Sequence, residues 1–382
     1  MMHPERAGRN AKSSKARRHC AAAVAVFLGA SGAALPHAVA QDRANEFASR
    51  CIDVVLPVAV TEGSAATNNV AGHLCLPLDD AATTVHLVIH GATYNHSYWN
   101  WPYKSALYSY SMALTAAGYA VFDYDRLGSG QSSHPVSTQL SIASDAYVAH
   151  QLVQALRKGG VGGVAFDRVV LAGHSLGSYI AWEEAGKYQD VDGVILTGIA
   201  HASNTLGKQQ ALADIYPAIS DPRFADWKLD PGYLTTRPST RAALFYDTAT
   251  AEPKLIAFDE ATKDLTTGTE LADMLASGPD APANFVLAIR VPVLLIDGQD
   301  DDLFCTPPGM PNGTDCTSSA TLAAAEKPFY NPAANLQAVV IPDTGHDLNL
   351  HLSAPLTYSV VRLWSDSFIG WDGSALGRVS RN

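Results

Sequence analysis

The chain has 382 residues, 47% of them hydrophobic and 16% charged, and carries a formal charge of −11. That acidic balance argues against a protein that grips nucleic acid or an anionic membrane through bulk charge. The five cysteines are too few and too widely spaced for a zinc scaffold built on tight C-x-x-C pairs.

The first forty residues read as an address. Arg6, Arg9, Lys12, Lys15, Arg17 and Arg18 face only Glu5. A short apolar segment, Ala21 to Leu35, leads to Ala38-Val39-Ala40. That order predicts a cleaved signal peptide, residues 1–40, with the cut after Ala40 and a secreted or periplasmic product. The Arg17-Arg18 pair matches a twin-arginine signal weakly. The apolar segment is short for a permanent anchor, and no other segment is long enough, so no stable membrane anchor is expected. Losing six basic residues and one acidic residue takes the formal charge from −11 to −16. Cys20 leaves with the leader. Cys51, Cys75, Cys305 and Cys316 remain, an even number that suggests two disulfides in an exported chain. Three pairings are open, and the local one is Cys51–Cys75 with Cys305–Cys316. Nothing in the sequence bears on oligomeric state.

Two early strands are expected at Ile52–Val60 and Val70–Pro77. Val85–His90, Tyr119–Asp125, Arg168–Ser175, Val191–Gly198, Val291–Gly298 and Leu336–Asp343 follow. Most are continuous apolar runs rather than alternating ones, which marks strands buried on both faces of a parallel sheet. Helix-like segments such as Leu140–Lys158 and Leu176–Tyr188 lie between them. The alternation predicts an α/β fold with a mainly parallel central sheet flanked by helices. From His201 to Ile289 no convincing strand is visible. That gap is too long for a plain connection. It is read as a cap, 201–289, inserted into a core made of 41–200 and 290–382. A surface excursion without function is the bland alternative.

The strongest local signal is Gly173-His174-Ser175-Leu176-Gly177, placed between a buried strand and a helical segment. This is G-x-S-x-G in strand–turn–helix context, where a tight turn lifts a serine above the sheet edge. Ser175 is the candidate nucleophile, and it needs a base to take its proton. His346 lies in a glycine-containing loop after the last expected strand. That loop emerges at the same sheet edge as Ser175. His90 is better read as a hydrogen-bonded loop brace. Tyr94, Trp99 and Trp101 sit in an aromatic cluster that is either ordinary packing or the wall of a substrate pocket.

Four stretches together resemble the α/β-hydrolase superfamily: "LVIHGATYN", "DRLGSGQSS", "AGHSLGS" and "DTGH". They span nearly the whole mature chain. The resemblance implies the α/β-hydrolase fold, a Ser-acid-His triad and a helical cap after the sixth strand. It places the acid three residues beyond the glycine that ends the strand after the cap. Gly298 then points to Asp301 within Asp300-Asp301-Asp302, with Asp300 the next choice. The oxyanion donors would be the backbone N–H groups of Leu176 and Ala92, or of Thr93 if the loop is offset by one. A Cys305–Cys316 bond would clasp the loop behind Asp301. Ser175 stands where dehalogenases and epoxide hydrolases of this fold carry Asp. No cofactor or metal is implied, since no phosphate-cradling glycine loop or metal motif is present.

These features lead to an expected exported serine hydrolase of small carboxylic esters. An amide or lactone hydrolase is the alternative. An aminopeptidase would need acids in the cap for a free amine, with Asp226 and Asp247 as candidates. A non-catalytic binding protein on the same scaffold ranks last, because all three triad positions are filled.

Overall fold

The computed structural model describes residues 49–78, 82–276, 285–306 and 312–370. The expected leader and its cleavage point lie outside them. Among the described residues no helix is long and apolar enough to cross a membrane.

One eight-stranded sheet organises the chain. Its strands are β1 (Arg50–Val58), β2 (Asn68–Leu76), β3 (Thr84–Ile89), β4 (Ala120–Tyr124), β5 (Arg168–His174), β6 (Gly193–Thr197), β10 (Val293–Gly298) and β11 (Gln337–Ile341). They lie side by side in the order β1-β2-β4-β3-β5-β6-β10-β11. β1 and β2 join antiparallel, as does β2 with β4; every pair from β4 to β11 is parallel. β3, β4, β6 and β10 are buried along their whole length, as continuous apolar runs require in a sheet covered on both faces. β1 alternates between exposed and half-buried positions, as an edge strand does. Helices Ile142–Arg157 and Leu176–Lys187 pack together, and helix Ala354–Ser365 packs on Tyr110–Ala116. The first of these starts with Ser141, which bonds reciprocally with Ser144 in a capping box.

The segment between β6 and β10 departs from the expectation of a purely helical cap. It carries helices Thr205–Ala213, Pro253–Thr262 and Gly268–Ala276. It also carries a small antiparallel sheet of β7 (Ile215–Pro217), β8 (Tyr233–Thr236) and β9 (Thr266–Thr267). Strands this short show no periodicity in the sequence, and β7 ends on a proline that stops its ladder.

Cys51 and Cys75 face each other across β1 and β2 and are bonded, as are Cys305 and Cys316. The first bond ties the edge strand to β2. Replacing Cys51 and Cys75 together by serine should lower unfolding free energy by about 3 kcal/mol in the chain-entropy model. Urea titration of oxidised protein checks this, and an unchanged midpoint and slope would contradict it.

Candidate active site

β5 runs directly into Ser175, whose backbone takes φ 52° and ψ −119°. A non-glycine residue in that region costs about 1–3 kcal/mol and persists only where the surroundings hold it. Here they do. The Ser175 N–H donates to the Thr197 carbonyl (2.9 Å) at the end of the neighbouring β6. Glycine is required on both sides. A Cβ on Gly173 would lie 2.3 Å from the Gly177 carbonyl oxygen, and one on Gly177 would lie 2.2 Å from that of Ile89. Helix Leu176–Lys187 starts immediately after the turn and leaves its first N–H groups toward the serine.

The loop after β3 lies beside this turn. A Cβ on Gly91 would fall 3.1 Å from Ser175 Cβ. The Thr93 N–H donates to the Leu265 carbonyl (3.3 Å), so Thr93 is already engaged. The N–H groups of Ala92 and Leu176 have no hydrogen-bond acceptor among the described residues. Of the two donors weighed for the second oxyanion position, Ala92 is the one left available. His90 is fully buried, and its Nε2 accepts the Arg126 N–H (3.0 Å). It holds the loop and does not face the site.

The three aspartates separate by burial. Asp301 is fully buried, whereas Asp300 and Asp302 are exposed. His346 Nδ1 donates to Asp301 Oδ2 at 2.7 Å, and Asp301 Oδ1 accepts the Leu303 N–H at 2.8 Å. Burial by itself would raise the Asp301 carboxyl, but the His346 charge and hydrogen bond hold it below the usual carboxylate range. Burial by itself would lower the His346 imidazole, and Asp301 holds it above 6.5. Asp297, four residues before Asp301 near the end of β10, is also fully buried and was not singled out from sequence. Its Oδ1 accepts the Gly298 N–H, and its Oδ2 has no partner among the described residues. Burial and then the Asp301 charge push its carboxyl well above the ordinary range.

Ser175 and His346 line one cleft. No hydrogen bond joins them among the described residues; such contacts commonly tighten only around substrate. The other lining residues include Ala92, Thr93, Tyr94, Phe245, Leu271, Met274 and Phe304. Tyr94 therefore reaches the cleft. Trp99 and Trp101 do not, which corrects the reading of them as pocket wall. Trp99 packs edge-on against Tyr98 and Tyr110, and Trp101 against Phe258, both fully buried. They are core, because indole rings this large are covered most completely beneath the loop.

Behind the cleft lies a polar network that sequence reasoning missed. His174 stacks on Tyr98 and its Nε2 lies 3.2 Å from Asp347 Oδ1. Asp347 Oδ2 and Asp259 Oδ2 both accept from the Tyr94 hydroxyl. Asp259 is paired by Arg241 through two contacts (2.7 and 2.9 Å), and Arg241 also donates to Thr93 Oγ1 (2.9 Å). Of its members, Tyr94 and His174 stand in stretches that the sequence already marked. Arg241 and Asp259 come together only in three dimensions. Among the described residues, His174, His346 and Asp347 form a trio of ligand-type groups that adjoins the serine turn. His346 Nδ1 is engaged by Asp301, His174 Nε2 by Asp347 and Asp347 Oδ2 by Tyr94, which makes a hydrogen-bonded frame.

A family model described as the alpha/beta hydrolase family matches residues 87–358. Solved structures are similar at low identity. The monoglyceride lipase of Saccharomyces cerevisiae, in complex with a substrate analog, aligns with a TM-score of 0.55 at 15% identity, covering 82% of this chain and 96% of that one. The enol-lactonase of Burkholderia xenovorans LB400 gives 0.51 at 17%, covering 81% and 100%. The Pyrococcus furiosus esterase Pf2001 gives 0.50 at 14%, covering 85% and 95%. No curated protein matches the sequence.

An NMR titration of the histidines should place His346 above 6.5 and His174 well below it, since burial and the nearby His346 charge oppose protonation of His174. Asp301→Asn should lower the His346 value by removing its counter-charge. A His346 titration unmoved by Asp301→Asn would contradict the pairing.

Proposed function

The chain belongs to the alpha/beta hydrolase family, and from that premise we propose that it is an exported serine hydrolase cleaving carboxylic esters of small molecules. Ser175 Oγ attacks the ester carbonyl while His346 Nε2 takes its proton. The N–H groups of Ala92 and Leu176 receive the developing oxyanion. Collapse expels the alcohol, which takes the proton from His346. Water, deprotonated by the same imidazole, then releases the acid. Asp301 fixes the tautomer that leaves Nε2 toward the cleft and stabilises the imidazolium. The observation that carries this reading is the buried Asp301–His346 bond, set in the wall of the cleft that Ser175 also lines.

The lining of the cleft supports an ester over an aminopeptidase substrate. Its described lining is largely apolar, contains no carboxylate, and has Lys208 as its one lysine or arginine. A free amine would find no partner there, which weighs against the aminopeptidase alternative. Asp226 is exposed, and Asp247 lines a separate acidic groove with Asp300 and Asp302. The two disulfides are in keeping with export.

Kinetics on p-nitrophenyl acyl esters and aminoacyl anilides test the proposal. Ester turnover should dominate; cleavage of anilides alone would refute the ester reading. Asp301→Asn should lower kcat by about 10³–10⁴-fold, while Asp300→Asn and Asp302→Asn stay within about threefold, as exposed substitutions usually do. A fully active Asp301→Asn enzyme would overturn the assignment. Because the base must be neutral, kcat/KM should rise with pH through an apparent value above 6.5. A pH-independent profile across that range would contradict His346 as base.

A further inference from the structure

The fully buried cations of the described chain each hold a carboxylate. Arg126 pairs with Asp145 at 2.9 Å, Arg241 with Asp259 at 2.7 Å and Lys263 with Asp221 at 2.7 Å. This is the ordinary condition for a charge removed from water. Lys208 is different. It is half-buried in the cleft wall, yet no carboxylate of the described residues lies within salt-bridge distance of its ammonium. Its polar contact is a long one, to the Tyr179 hydroxyl at 3.4 Å. Its Nζ otherwise lies over the Phe304 ring at 5.0 Å. Burial pulls its ammonium down to about 8, with the Asp301 charge opposing, so it remains mostly charged at neutral pH.

The placement is rigid. Helix Thr205–Ala213 is capped by Asn204, whose side chain accepts the Leu206 and Gly207 N–H groups. The Asn204 N–H donates to the Leu303 carbonyl (3.0 Å), and its side-chain amide to the Cys305 carbonyl (3.2 Å). Gly207 packs so closely on the acid-bearing loop that a Cβ there would overlap the Asp302 carbonyl oxygen. The helix that carries Lys208 is thus docked on the loop that carries Asp301. The aliphatic residues that share the cleft lining with Lys208 and Ser175 are Ala211, Leu212, Ile215, Leu271, Met274, Leu275 and Leu303.

We propose that Lys208 is a substrate-recognition residue that binds a carboxylate carried by the ester, so that the enzyme's substrates are acidic esters whose anion and scissile carbonyl are separated by an apolar chain. The proposal rests on the ester-hydrolase reading above. A carboxylate matches the site better than a phosphate because one ammonium balances one negative charge, and a dianion would bring a second charge into an apolar wall. The apolar wall accepts methylenes between the two ends.

The test compares monoesters that carry a terminal carboxylate with neutral esters of the same length. One series places the carboxylate on the acyl side, as in monoethyl glutarate, and one on the alcohol side, as in 4-acetoxybutyrate. In wild type, kcat/KM for the acidic member of at least one series should exceed that of its neutral partner tenfold or more. In Lys208→Met that ratio should fall at least tenfold, mainly through KM, and Lys208→Arg should restore most of it. Should Lys208→Met not fold, Lys208→Gln replaces it. Equal ratios in wild type and Lys208→Met, or no acidic preference in either series, would overturn the proposal.

Binding of hexanoate, followed by NMR on the same proteins, reads the anion site without turnover. Weakening of at least tenfold in Lys208→Met supports the site, and equal binding contradicts it. Lys208-dependent hexanoate binding with no ester turned over would sink the hydrolase reading and leave the anion site standing.

Discussion

The Asp301–His346 hydrogen bond exists because two backbone loops touch. A Cβ on Gly298 would lie 2.3 Å from the carbonyl oxygens of both Thr344 and Gly345. Glycine at the end of β10 therefore lets the acid-bearing loop close on the histidine-bearing loop after β11. The two strands are parallel neighbours, so both loops leave the same sheet edge. The Asp300 N–H donates to the Thr344 carbonyl (2.8 Å) and seals the contact. Once closed, the pair is buried, and each partner's pKa is set chiefly by opposition between desolvation and the other's charge. The Cys305–Cys316 bond lies directly behind this loop, with Cys305 Sγ 3.3 Å from the Gly298 carbonyl oxygen.

The segment between β6 and β10 is built into the same site. Thr93 exchanges backbone hydrogen bonds with Asp264 and Leu265, and Arg241 holds the Thr93 side chain. The loop bearing the candidate oxyanion donor Ala92 is thus held by residues far along the chain. Arg241 is fully buried and is charge-balanced by Asp259, whose carboxylate also receives the Tyr94 and Tyr246 hydroxyls. Removing either ionic partner would strand the other in a site without water, which is costlier than losing the pair together. The geometry of the candidate site and the packing of the segment between β6 and β10 are therefore coupled through these contacts.

Legibility from sequence followed the range of the interactions. The central strands were visible because burial on both faces writes a continuous apolar run. The serine turn was visible because its two glycines flank Ser175 in the sequence, although only Gly173 is demanded by a local contact, with Gly177, while Gly177 is demanded by the distant Ile89 carbonyl. Asp301 could be ranked above its neighbours because the resemblance to the α/β-hydrolase superfamily implies an acid three residues beyond Gly298. β7, β8 and β9 were not visible, since two to four residues carry no period. Trp99 and Trp101 look the same in sequence whether they wall a pocket or fill a core. The Arg241–Asp259 pair and the unpaired ammonium of Lys208 were beyond reach for another reason. Whether a charge has a partner is decided by folding, not by local composition.

The central claim is that Ser175 is a nucleophile activated by His346. Reaction of the folded mature protein with a fluorophosphonate, followed by peptide mass spectrometry, tests it most directly. The account predicts one adduct, on Ser175, with labelling strongly slowed in His346→Ala and absent in Ser175→Ala. Labelling at another residue, or none on folded protein, would contradict it.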